Sequence, residues 1–157
     1  MPGRTDSVPV TEKTLRQDLM TLGVTPGSTL VVHSSLTAIG QVQGGPATVI
    51  RALLHALGKQ GTLAMPAATP QCADPAGWIE PPVLESRLEE VRRKLPVFDL
   101  RVTPTTLGAI PEAFRTWPGT LRSDHPLESV CARGPLAAEI IAEHPPAFSE
   151  GPGTPFG

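Results

Sequence analysis

The chain has no tyrosine, and aromatic residues make up only 4% of its 157 residues, so its core must be built from aliphatic side chains rather than stacked rings. Cysteine is also scarce. Cys72 and Cys131 are far apart and match neither a disulfide framework nor a C-x-x-C metal site, which predicts reduced thiols and no metal. Charge of one sign is missing too: 13 Lys and Arg against 15 Asp and Glu leave a formal charge of -2, with no basic footprint for nucleic acid or an anionic membrane. No run of about 18 apolar residues occurs, and the opening MPGRTDSVPV lacks a signal-peptide core. A cytoplasmic location is expected.

Proline and glycine, by contrast, are plentiful at 19 and 15 residues. The prolines concentrate from Pro66 to Pro118 and again after Pro145, which predicts long irregular segments there. At this length one core is expected. Residues 1–10 read as a flexible N-terminus, 11–144 as the folded portion and 145–157 as a Pro/Gly-rich tail.

Within the folded portion, TEKTLRQDLMTL (11–22) puts Leu15, Leu19 and Leu22 at helical spacing between a Thr11 cap and Gly23. Thr29 to Val32 reads as a short buried strand after a Pro-Gly turn. PATVIRALLHALG predicts a helix with Pro46 in its first turn and Gly58 at its end, and GTLAMP a second strand. Further helices are predicted over 84–94, 108–117 and 135–144, with a strand at SVCARG. Strands that are apolar throughout, alternating with helices, predict an α/β fold with a mostly parallel sheet.

Two polar clusters stand out. His33, Ser34, Ser35 and Leu36 follow the first strand, at a carboxyl end where open α/β sheets bind ligands. Their hydroxyls suit amide or phosphate oxygens, although serines at that place also cap turns. The second cluster is RSDHPLESVCARGP (122–135), where Arg122, Ser123, His125 and Ser129 could serve an anionic ligand, or Arg122 could simply pair with Asp124 or Glu128 at the surface. Cys131, between Val130 and Ala132, reads as a buried apolar residue rather than a nucleophile.

Taken together, VHSSLTAIG, GGPATVIRALLHALGKQGTLAMP, PVFDLRVTPTTLGAIPEAFR and RSDHPLESVCARGPLA resemble the aminoglycoside 3-N-acetyltransferases, over residues 15–157. The resemblance implies a three-layer α/β/α arrangement and acetyl transfer from acetyl-CoA to an amine of an aminoglycoside antibiotic. It also implies that His33, Ser34, Ser35, Leu36, Arg122, Ser123 and His125 line the coenzyme side of the cleft, making 11–144 an acetyl-CoA-binding portion. In that family the general base is a histidine in a Thr-x-x-His pattern on a later helix, and this chain carries no such pattern. The chain is therefore expected to be the N-terminal, truncated portion of such an enzyme. The alternatives are a non-catalytic coenzyme A-binding module or an inactive remnant.

Amine attack on a thioester needs an unprotonated amine, an oxyanion donor and close positioning of both substrates. Of the remaining histidines, His55 lies on a helix face and His144 beside a Pro-Pro pair, and neither stands out as the base. A polycationic substrate calls for carboxylates. Asp74, in CADPAGW, is the expected substrate contact, with Glu112 and Asp99 behind it and Trp78 as a possible wall; each also has an ordinary turn, cap or packing role.

Overall fold

The structure, a computed structural model, describes residues 8–157. Helix α1, Glu12–Thr21, starts at Thr11, whose hydroxyl accepts the Thr14 N–H while the Thr14 hydroxyl accepts the Thr11 N–H. Strand β1, Thr29–Val31, lies at the sheet edge with Thr29 and Val31 exposed, which corrects the expected buried strand, and a single turn, α2 (Leu36–Ile39), follows, capped by Ser35. Helix α3, Gly45–Leu57, buries Val49, Ile50, Leu53 and Leu57 and leads into β2, Thr62–Pro66.

After β2 the chain runs through a long irregular region, as its prolines predict. The helix expected over 84–94 is a 3₁₀ turn, Glu85–Arg87, followed by the short α4, Leu88–Arg92. Then come α5 (Ala109–Arg115), β3 (Leu121–Arg122), β4 (Val130–Arg133) and α6 (Ala137–Ile140). Helix α6 falls short of the expected 135–144 at both ends.

The four strands form one sheet in the order β1-β2-β4-β3. Only β1 and β2 are parallel; β2–β4 and β3–β4 are antiparallel, so the expectation of a mostly parallel sheet is corrected to a mixed one. For β3–β4 the reason is the length of the connection. Residues 123–129 are too few for a parallel crossover, which takes a dozen or more. Strand β3 escaped the sequence reading because it has two residues and its Leu121 is exposed, leaving no apolar run.

The two faces of the sheet follow the two-residue period of its strands. Leu63, Met65 and Cys131 join Ile50, Leu53, Leu57, Ile110 and Phe114 in the main core, under α3 and α5. Ala64, Val130 and Ala132 face the other way, onto Ala137, Ile140 and Ile141. At the exit of β4, Gly134 (φ +134°) lets the chain pass close to the start of β2, because a Cβ there would lie 2.3 Å from the Gly61 carbonyl oxygen.

Residues 1–7 of the expected flexible N-terminus lie outside the described residues, while Val10 is bridged to Val42. Among the described residues no helix is long and apolar enough to cross a membrane, and no group of three or more His, Cys, Asp or Glu could hold a metal ion.

Candidate functional site

Both polar clusters leave the sheet at the same end. The Val32 N–H still bonds to the Ala64 carbonyl (2.9 Å), after which His33, Ser34 and Ser35 run past the end of β2. At that level the Ala67 N–H bonds to the Ser129 carbonyl (2.7 Å), and the Ser123 N–H to the Val130 carbonyl (2.8 Å).

Within the first cluster the three polar residues differ. Ser35 is extended (φ -135°) and caps α2, its Oγ accepting the Ala38 N–H at 3.3 Å. His33 is exposed. The Ser34 Oγ is buried with no hydrogen-bond partner, and its residue lines a cavity of about 320 Å³ between α1, α2 and α3. A buried hydroxyl left unpaired costs about 1–3 kcal/mol, so Ser34 is the residue in this cluster whose chemistry the fold does not use.

Arg122 is turned inward rather than toward an open cleft. Its Nε donates to the Ser129 Oγ (2.8 Å), its Nη1 to the Thr103 and Leu100 carbonyls (2.7 and 3.4 Å) and its Nη2 to the Ala67 carbonyl (3.0 Å). The guanidinium also lies 5.0 Å from the centroid of the Phe98 ring. It does not pair with Asp124 or Glu128, and no carboxylate among the described residues lies within ion-pair distance. Burial therefore pulls its pKa down. Ser129, fully buried, donates to the same Ala67 carbonyl (2.9 Å).

Ser123 and His125 meet a partner that the sequence reading set aside. The Ser123 Oγ accepts the Val130 N–H (2.8 Å) and lies 2.8 Å from Nδ1 of His144, whose Nε2 is 3.1 Å from the Ser149 carbonyl. A carbonyl only accepts, so His144 carries its proton on Nε2 and its Nδ1 accepts the hydrogen bond that the Ser123 hydroxyl donates. The His125 Nδ1 accepts the Leu127 and Glu128 N–H groups (3.2 and 2.8 Å), which places its proton on Nε2, buried and without a partner. The two imidazole rings stand 4.5 Å apart at 30°. Burial lowers the pKa of both, and the neighbouring ring lowers that of His144 further. Nothing in the local sequence could have signalled His144, which lies 21 residues from Ser123.

Asp74 sits on the loop after β2 as an exposed side chain already fully engaged. Arg92 grips both its oxygens (3.0 and 3.1 Å) and the Ala76 N–H adds a third bond (2.8 Å), and these hold its carboxyl below the ordinary range. Glu112 is paired with Arg115 (2.6 Å), Asp99 accepts the Arg101 and Val102 N–H groups, and the Trp78 indole N–H bonds to the Ala73 carbonyl (3.3 Å). Burial pushes the Cys131 thiol up to about 12, as fits a packing residue and not a nucleophile.

A sequence model of the family described as aminoglycoside 3-N-acetyltransferase matches residues 31–157. The chain is 39% identical over 151 residues to the SPbeta prophage-derived aminoglycoside N(3')-acetyltransferase-like protein YokD of Bacillus subtilis, covering 95% of this chain and 56% of that one. The crystal structure of YokD superposes with a TM-score of 0.88, covering 94% of this chain and 59% of that one. The AAC-IIIb binary complex with CoASH is 34% identical, with a TM-score of 0.77, covering 94% and 55%. AAC-VIa bound to sisomicin is 32% identical, with a TM-score of 0.78, and the same coverage. The chain spans about half the length of the curated relatives it matches.

Proposed function

Because the chain belongs to the aminoglycoside 3-N-acetyltransferase family, we propose that it serves acetyl transfer from acetyl-CoA to an amine of an aminoglycoside, and that its own residues form the coenzyme side of the cleft. The observation that carries this reading is the buried, unpartnered Ser34 hydroxyl, at the sheet end where both polar clusters emerge. A relative with CoASH and another with sisomicin, each covering 94% of this chain, support the two substrate classes. The helices on both faces of the sheet, α3 and α5 opposite α6, support a three-layer arrangement.

Acetyl-CoA would supply the thioester; the chain's residues hold and orient it. The Ser34 hydroxyl, the exposed His33 ring and the backbone N–H groups leading into α2 offer donors to amide or phosphate oxygens, and Leu36 offers an apolar contact. In the second cluster the group with a donor to spare is the His125 Nε2–H, not the Arg122 fork. Arg122 acts instead through what it holds, tying the 100–103 loop and the end of β2 into one wall. Ser123 positions His144, and an ammonium approaching Asp74 would compete with Arg92.

The test is to mix the chain with acetyl-CoA and sisomicin and follow free thiol. Turnover supports the full reading, coenzyme A binding without turnover supports a non-catalytic module, and absence of both overturns the reading. Ser34→Ala is expected to weaken coenzyme A binding about fivefold, one hydrogen bond of about 1 kcal/mol, while the unfolding midpoint holds or rises because an unpaired buried hydroxyl is gone. Unchanged affinity would refute the Ser34 assignment.

A further inference from the structure

At the opposite end of the sheet, where β2 begins and β4 ends, lies a second cavity, of about 650 Å³, that the proposed reaction does not use. Its basic lining residues are Arg51, His55, Lys59 and Arg133, and no Asp or Glu lines it. Arg51 and His55 are engaged by Glu12 (3.1 and 2.5 Å). Lys59 and Arg133 pair with no carboxylate among the described residues, so two cations converge on one concavity without compensation.

A cation just past the carboxyl end of α3 has an ordinary explanation, since it complements the partial negative charge there, and this accounts for Lys59. It does not account for Arg133, which comes from the last residue of β4. Arg133 is seated against Gly119 (φ +80°), where a Cβ would stand 3.4 Å from the guanidinium Nε. Trp117 packs on the main core and lines the same cavity, placing an aromatic surface beside the two charges.

A planar guanidinium, a compact ammonium and an indole in one recess match a phosphate ester that carries an aromatic base. We propose that this cavity is a nucleotide-class anion site, separate from the coenzyme cleft and independent of the acetyl-transfer reading. The charges supply recognition of phosphate, and Trp117 supplies a surface for the base.

The probe is ADP, followed by tryptophan emission in a Trp78→Phe chain so that Trp117 alone reports, with calorimetry on the unaltered chain if that variant does not fold. Saturable quenching is expected, weakened about tenfold by Arg133→Gln or Lys59→Gln and unchanged by Ser34→Ala. Pyrophosphate should bind more weakly than ADP, adenosine more weakly still, and added salt should reduce the affinity of both anions. Unfolding midpoints matching the parent chain establish that the two Gln variants are folded; if either is not, Arg133→Lys, which keeps charge without the fork, replaces it. No saturation up to about 10 mM, or affinity untouched by both Gln variants, overturns the proposal. So does loss of ADP binding in Ser34→Ala, which would place the nucleotide in the coenzyme cleft instead.

Discussion

Replacing Arg122 separates two roles that the sequence left open, a donor to a ligand phosphate and an internal strut. The side chain is 8% exposed and gives four hydrogen bonds to protein acceptors, three of them backbone carbonyls. Arg122→Ala removes donors worth about 1.5–3 kcal/mol each when charged and leaves the Thr103 and Ala67 carbonyls with fewer partners. The sum is not additive, and relief of the buried charge offsets part of it. A net loss of about 3–5 kcal/mol remains, because buried neutral acceptors that lose their donor cost about 1–3 kcal/mol each. For a chain of this size that corresponds to a fall in Tm of roughly 6–20 °C. Urea unfolding is the assay, with a lowered midpoint at unchanged slope as the expected result. Arg122→Lys should fall between the two, keeping charge but not the fork. A midpoint equal to the parent's, together with lost coenzyme A binding, would refute the strut and restore the direct phosphate contact.

Acidification should destabilise the fold in two stages. The folded pKa values of His125 and His144 are depressed below the ordinary 6.5, so the unfolded chain binds more protons in the window beneath that value; this stability is complete above about pH 6.5 and is lost as pH falls through the folded values. Thermal unfolding between pH 8 and 5 should show the decline, and His144→Gln should flatten it; an unaltered slope would remove the histidine pair as its source. The paired carboxylates Glu12, Asp74 and Glu112, all held low, add their loss at still lower pH. Thiol titration of the native chain should register Cys72, which is partly exposed, before Cys131, which should react only on unfolding. Equal rates would show that the β4 core opens readily.

What could be read in the sequence was whatever local chemistry enforces. The Thr11 cap, the apolar face of α3 and the apolar runs of β1 and β2 each follow from neighbouring residues, and all appear within a residue or two of where they were expected. The segments richest in proline were rightly read as irregular. Cys131 and the turn or cap roles of Asp74 and Glu112 were also legible, since burial and local hydrogen bonding follow from immediate sequence neighbours.

Long-range pairing lay beyond that reach. The sequence determined the α1 cap, the α3 face and the longer extended runs, and placed the first polar cluster at a strand end, because those features depend on periodicity and caps within a few residues. Tertiary structure alone decided that β4 runs antiparallel beside β2, that Arg122 faces carbonyls 19 to 55 residues away, and that His144 returns to Ser123. Those outcomes depend on which distant backbone acceptors lie within reach of a long side chain once the sheet has formed. A guanidinium inserted among buried carbonyls satisfies them, and one left facing solvent binds ligands; the same residue in the same local sequence can do either.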